Sequence, residues 1–145
     1  MPDQHAAKRE NTRLVFFKAW IKYKKGETLQ ELEQQVAQLI DQHPEYQSFF
    51  SDERNIEHDF SSDKNVVNPF LHLGMHLAIG DQLALQQPPQ IRELYQQLAQ
   101  RFNGVHEAEH QIMNCLAYWM QQPQPQGDSL DFAPYVECLQ KLLKK

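Results

Sequence analysis

The chain has 145 residues, 41% of them hydrophobic, and its 19 acidic and 14 basic side chains give a formal net charge of −5. This length suits a single domain with its own hydrophobic core. The negative balance argues against a nucleic-acid partner, which needs a clustered basic face. The short basic run in residues 18–25 is more typical of a solvated helix end near the negative pole of the helix dipole.

The sequence shows no targeting or membrane segment. Residues 1–13 are polar and charged and lack the apolar stretch of a signal peptide. No apolar run approaches the ~18 residues of a membrane-spanning helix. The two cysteines, Cys115 and Cys138, have no motif spacing, which favours small core residues in a reducing compartment. We therefore expect a cytoplasmic protein with neither a membrane nor a nucleic acid as partner.

The first half of the chain predicts three helices and a loop. Apolar residues recur at helical spacing over residues 9–25 and 28–42. A short helix over residues 44–50 follows, with His43 as its candidate N-cap. Residues 53–67 are polar and lack periodicity, so they are predicted to form a long loop.

The stretch at residues 68–85 is the most apolar in the chain. Asn68 is a candidate N-cap, and Pro69 occupies the first helical position, where a missing N–H costs nothing. Nearly every following residue is apolar or small around the whole helix circumference. A helix of this kind is expected to be buried.

Two more helices and a linker complete the pattern. Residues 91–102 form an amphipathic helical stretch, and residues 105–121 form a second, more apolar one. Residues 122–127, QPQPQG, predict an extended linker, after which Asp131 is a candidate cap for the last helix. No segment alternates with the period of a strand. The sequence therefore predicts an all-α single domain over residues 1–145, with about six helices, a four-helix core and a C-terminal helical arm.

Two pairs of histidines carry the clearest chemical signal. His72 and His76 lie four residues apart in one predicted helix, and His106 and His110 lie four apart in another. Residues at this spacing project from one helix face. Two such imidazoles can reach one metal ion at about 2.0–2.1 Å. If the helices pack together, the four imidazoles converge on one or two ions, so the sequence predicts a transition-metal site.

Glu33 and His43 are candidate additional ligands. Glu33 is flanked by apolar residues of the second predicted helix, and His43 precedes Pro44. Imidazoles joined by one or two carboxylates suit iron, zinc or manganese. Iron would support oxygen or peroxide chemistry, whereas zinc would support a structural role or hydrolysis. The sequence does not choose between iron and zinc, nor does it decide whether the protein is an enzyme.

Two other interpretations stay open. The histidines could be neutral, buried residues of a non-catalytic interaction module that binds a partner protein or a second copy of the chain. Alternatively, residues 106–110 fit the HExxH pattern, in which two histidines hold zinc and a glutamate, here Glu107, acts as general base. That motif also needs a third protein ligand and an open cleft beside the helix.

Several segments of the chain carry a resemblance to a known family. They are FFKAWIKYKKGETLQELE, AQLIDQHPEY, NPFLHLGMHLAIGDQ, QPPQI and HEAEHQIMNCL. Together they resemble the short bacterial proteins catalogued as domain of unknown function 1841, over residues 14–139. The resemblance implies a small bacterial cytoplasmic protein of no established activity. The family pattern includes the residues that stand here as Glu33, His43, His72, His76, His106 and His110.

Overall fold

Helices make up all the regular structure in the part of the chain that the structure describes. The structure is a computed structural model that describes residues 4–58, 68–122 and 131–144, with side chains from residue 12 onwards. The predicted all-α fold is confirmed. The elements are α1 (Gln4–Lys25), α2 (Glu31–Asp41), α3 (Pro44–Phe50), a 3₁₀ helix (Glu53–Glu57), α4 (Pro69–Leu85), α5 (Ile91–Arg101), α6 (Val105–Met120) and α7 (Ala133–Lys144).

Local sequence signals set several of the helix ends. Gly26 has a φ of 74°, a left-handed conformation that suits glycine and that closes α1. The Asn68 side-chain oxygen accepts hydrogen bonds from the backbone N–H groups of Phe70 at 3.0 Å and Leu71 at 3.3 Å. Pro69 is the first residue of α4, so the predicted N-cap and N1 proline are both confirmed.

Two predicted irregular segments fall largely outside the described residues. The predicted loop over residues 53–67 begins with the 3₁₀ helix Glu53–Glu57, and residues 59–67 lie outside the description. Within the predicted linker over residues 122–127, the structure describes Gln122.

The chain divides into two compact units, Met1–Leu77 and Ala78–Lys145. The division falls within α4. The first unit contains α1, α2, α3, the 3₁₀ helix and the first half of α4. The second unit contains the rest of α4 and helices α5, α6 and α7, and these last three pack against one another.

An aromatic cluster forms the core of the first unit. Phe17 is fully buried, and its ring lies 5.4 Å from that of Phe50 and 5.9 Å from that of Phe70. Edge-to-face and tilted contacts of this kind add to the hydrophobic gain of burial. The core of this unit consists of Phe16, Phe17, Ala19, Trp20, Val36, Ile40, Phe50, Phe70 and Leu73.

Tyr135 is the centre of the second unit's core. It is fully buried, its ring stacks on Trp119 with centroids 5.5 Å apart, and its hydroxyl donates to Gln82 Oε1 at 2.8 Å. Burial raises the pKa of Tyr135, because the phenolate would lose its hydration. This hydrogen bond satisfies a buried hydroxyl and ties α7 to the second half of α4.

Helix α4 is less buried than its apolar sequence predicts. Leu73 and Ile79 are fully buried, but Leu71 is 53% exposed and Leu85 is 67% exposed. The prediction of a helix buried around its whole circumference is therefore wrong, because packing covers only part of its surface. None of the described helices has the length and apolar character needed to cross a membrane.

Cys115 and Cys138 form a disulfide that links α6 to α7. The prediction of two separate thiols in the core is wrong in this respect. The two residues are 23 positions apart in sequence, and their Cα atoms come within 5.7 Å. The packing of α6 against α7 brings the two cysteines together, and no local sequence motif predicts that pairing.

We expect reduction of this disulfide to destabilise the second unit. A cross-link over 23 residues restricts the unfolded chain and contributes about 3 kcal/mol. Urea denaturation with and without a reducing agent measures the effect, and a Cys115→Ser/Cys138→Ser variant serves as control because reductant should leave its midpoint unchanged. Equal midpoints for the oxidised and reduced wild type would contradict the prediction.

We also expect Phe17→Ala to lower the free energy of unfolding by about 3–5 kcal/mol, because it removes a fully buried ring from the aromatic cluster. Leu71→Ala is the matched control in the same unit. Its side chain is 53% exposed, and its loss should change stability by no more than about 0.5 kcal/mol. Thermal and urea unfolding followed by circular dichroism would measure both, and a small effect of Phe17→Ala would show that the cluster is not the stabilising core.

Candidate metal centre

The end of α2 fixes the orientation of His43. The last four carbonyls of a helix have no intrahelical partner. One of them, the Leu39 carbonyl, accepts a hydrogen bond from His43 Nδ1 at 2.7 Å. A carbonyl oxygen can only accept, so Nδ1 carries the hydrogen. In neutral His43 the lone pair is therefore on Nε2.

The lone pair on His43 Nε2 faces a second imidazole. His72 Nε2 lies 3.2 Å away, and the two residues are 29 positions apart in sequence. Because His43 Nε2 is the acceptor, the hydrogen between the two nitrogens belongs to His72. The contact joins the end of α2 to the first turn of α4.

His76 completes a triangle with these two rings. The ring centroids of His43 and His72 lie 5.0 Å apart, those of His43 and His76 lie 5.1 Å apart, and those of His72 and His76 lie 5.0 Å apart. One ligand nitrogen from each residue lies within 4.8 Å of the other two. We call these three residues the histidine triad. The i,i+4 spacing supplies two members of it, and the turn after α2 supplies the third.

The triad is largely buried, and an aromatic ring packs against it. His43 is 1% exposed and His76 is 3% exposed, whereas His72 is only partly buried. The Tyr46 ring stacks on His43 at 5.5 Å and meets His72 edge-on at 5.7 Å. Burial raises the pKa of Tyr46, with a smaller contribution from the charge of Glu45. The phenol is therefore neutral at physiological pH.

The triad geometry suits a metal ion. Two nitrogen ligands at about 2.0–2.1 Å from a tetrahedral ion lie about 3.3 Å apart. The observed separation of the Nε2 atoms of His43 and His72 is 3.2 Å. In addition, a histidine that ligates a metal commonly donates its other ring N–H to a carbonyl, as His43 does to Leu39. The same side chains can thus hold either a shared hydrogen or an ion.

Glu33 lies elsewhere in the first unit. Its Oε2 accepts from Lys22 Nζ at 2.9 Å, and its Oε1 accepts from the Gln30 backbone N–H at 3.0 Å. The hydrogen bond from Gln30, and to a smaller extent that from Lys22, hold the pKa of Glu33 below its ordinary value. Glu33 thus caps the start of α2 and pairs with α1, and the structure does not bring it to the triad.

The second histidine pair lies on α6 in the second unit. The rings of His106 and His110 are 4.3 Å apart, and both residues are partly buried, so the i,i+4 spacing brings them together as predicted. Glu107, the general base of the HExxH interpretation, is exposed and accepts a hydrogen bond from Gln111 Nε2 at 3.2 Å. Its carboxylate is therefore engaged on the helix surface.

Sequence reasoning missed two parts of this centre, the Leu39 carbonyl and the Tyr46 ring. The Leu39 carbonyl had a signal in the sequence. Leu39 is four residues before His43, and Pro44 disfavours a helical backbone at His43, so the helix does not continue through His43. The carbonyl at that position therefore needs another donor. Tyr46 had no comparable signal, since its stacking depends on the turn between α2 and α3.

Comparisons with known proteins identify one family. A family model described as domain of unknown function (DUF1841) matches residues 8–141, which is nearly the whole chain. No curated protein and no solved structure matches the chain.

We expect Glu33→Gln to leave metal content unchanged, because both carboxylate oxygens already bind Lys22 and Gln30. The variant should instead lose the ion pair and slightly lower the melting temperature. Metal analysis of purified wild type and variant, together with a thermal melt, measures both effects. A Glu33→Gln protein that lost its metal while keeping its fold would restore Glu33 to the ligand set.

Proposed function

The chain belongs to the family described as domain of unknown function (DUF1841), and we propose that it binds a transition-metal ion through His43, His72 and His76. The contact between the Nε2 atoms of His43 and His72 carries this proposal. The atoms lie 3.2 Å apart, and the Leu39 carbonyl holds the outer nitrogen of His43. An ion between them would replace the shared hydrogen without a large movement of either ring.

Three imidazoles favour a metal over a purely structural role. A hydrogen bond between two rings uses one lone pair, whereas an ion accepts a lone pair from all three rings at once. The triad is nearly equilateral, with centroids 5.0–5.1 Å apart. A symmetric arrangement of this kind suits one central acceptor better than a chain of pairwise bonds.

The donor set favours zinc over iron. Non-haem iron sites commonly use two histidines and a carboxylate, whereas three histidines are a familiar zinc ligand set. Imidazole donors also suit copper and nickel, while magnesium and calcium prefer oxygen. The one carboxylate predicted as a ligand, that of Glu33, is engaged with Lys22 and Gln30. We therefore propose zinc as the metal, with iron as the alternative.

His106 and His110 stay in the proposed ligand set. Their rings lie 4.3 Å apart on α6 and can act as a bidentate pair. The protein then binds one or two ions, and the measured stoichiometry decides the number. Metal analysis of variants that lack either triad histidines or the second pair shows which residues hold the ion.

Metal analysis of protein purified without an affinity tag tests the proposal. We expect close to one or two zinc ions per chain. His43→Ala and His72→Ala should each weaken zinc binding by more than about 100-fold, since loss of a mere orienting partner costs about 10–100-fold. A His106→Ala/His110→Ala variant reports on the second pair.

His58→Ala is the matched control, because His58 is an exposed histidine of the same unit that lies outside the triad. It should retain wild-type metal content. Wild-type protein that binds no metal, and triad variants that fold and behave like His58→Ala, would overturn the proposal. The protein would then be better described as a non-catalytic module that binds a partner protein or a second copy of the chain.

A further inference from the structure

Resting on the metal site proposed above, we propose that the bound ion takes a small monoanion from solution as an additional ligand. Hydroxide is the ordinary occupant of this position, and azide is a convenient probe of it. The charge of the donor set, the burial of the ligands and the number of coordination positions that they fill all favour such a ligand.

The ligand set brings no negative charge to the ion. All three members of the triad are imidazoles, which bind a metal in their neutral form. A divalent ion at the triad would therefore keep its full double positive charge.

No carboxylate among the first unit's described side chains is placed to offset that charge. Glu33 binds Lys22 and Gln30, and Asp52 binds Arg54 at 2.8 Å. The remaining described acidic residues of this unit are exposed: Glu27, Glu31, Asp41, Glu45, Glu53 and Glu57. Its acidic groups are thus either paired at the surface or directed to solvent.

Burial makes an uncompensated charge costly. His43 and His76 are 1% and 3% exposed, so the ion would exchange much of its hydration for protein surroundings. The carbonyl end of α2, which holds His43 through Leu39, contributes only about half a negative charge. A bound monoanion neutralises half of the ion's charge at the position where the cost arises.

The coordination geometry leaves room for that anion. A zinc ion held by three histidines keeps a fourth position for water or substrate. The partly buried ring of His72 marks the more accessible side of the triad, whereas the Tyr46 ring covers His43. Flanking aromatic rings favour an anion of a few atoms over a bulky one.

Cobalt(II) in place of zinc provides the test, because its visible absorption bands report the number and type of its ligands. The full-length protein is loaded with one equivalent of cobalt(II) and titrated with sodium azide. We expect a saturable change in the visible bands with one azide bound per cobalt. Sodium perchlorate at equal ionic strength should cause none, and His58→Ala should respond as wild type does.

The outcomes separate this inference from the proposed function. Failure of wild type to bind cobalt or zinc at the triad would overturn the metal site itself. A bound cobalt ion whose spectrum azide leaves unchanged would overturn only the anion ligand. An azide response that persists in a folded His43→Ala/His72→Ala variant, which keeps only one histidine of the triad, would place the anion on cobalt bound elsewhere and would also overturn it.

Tyr46→Phe tests one competing ligand, the phenol oxygen next to the triad. This variant keeps the ring that stacks on His43 and removes the hydroxyl. An azide response of equal size in wild type and Tyr46→Phe supports the open position. A response seen only in Tyr46→Phe would show that the tyrosine oxygen fills that position in the wild type, and would overturn the proposal.

Discussion

The hydrogen bond from His43 Nδ1 to the Leu39 carbonyl is the constraint on which the candidate centre depends. It uses a carbonyl that the end of α2 leaves without an intrahelical partner. It also fixes which nitrogen of His43 carries a hydrogen, so that the Nε2 lone pair faces His72. Pro44 begins α3 immediately afterwards, so His43 lies in the turn between α2 and α3. This bond and the stacked ring of Tyr46 together orient the His43 ring within the triad.

The surroundings of the triad explain how so small a unit can hold two buried imidazoles and a third that is partly buried. The aromatic core formed by Phe17, Phe50 and their neighbours supplies the hydrophobic stabilisation. Tyr46 extends the aromatic surface over His43. Apolar rings around a polar group lower the local dielectric, so interactions among the imidazoles, or between them and an ion, are stronger than in water. Stability and site chemistry thus come from adjacent but different side chains.

The contacts made by the charged residues of the first unit also bear on the site. Glu33, a chemically reasonable ligand, instead caps α2 and pairs with Lys22. What remains at the triad is a neutral nitrogen donor set, which is the basis for proposing zinc and an anion ligand from solution. The geometry of the three side chains and the positions of the first unit's carboxylates support both proposals.

The sequence by itself determined the helices, because helical periodicity, caps and prolines act over a few residues. Asn68 and Pro69 predicted the start of α4, and the i,i+4 spacing placed His72 beside His76. Tertiary structure alone decided that His43 joins that pair across 29 residues, that Glu33 turns to Lys22, and that Cys115 meets Cys138. Each of these contacts depends on how one helix is rotated and placed against another. Successive residues of a helix differ by about 100° in direction, so the sequence states which side chains share a face but not what that face meets.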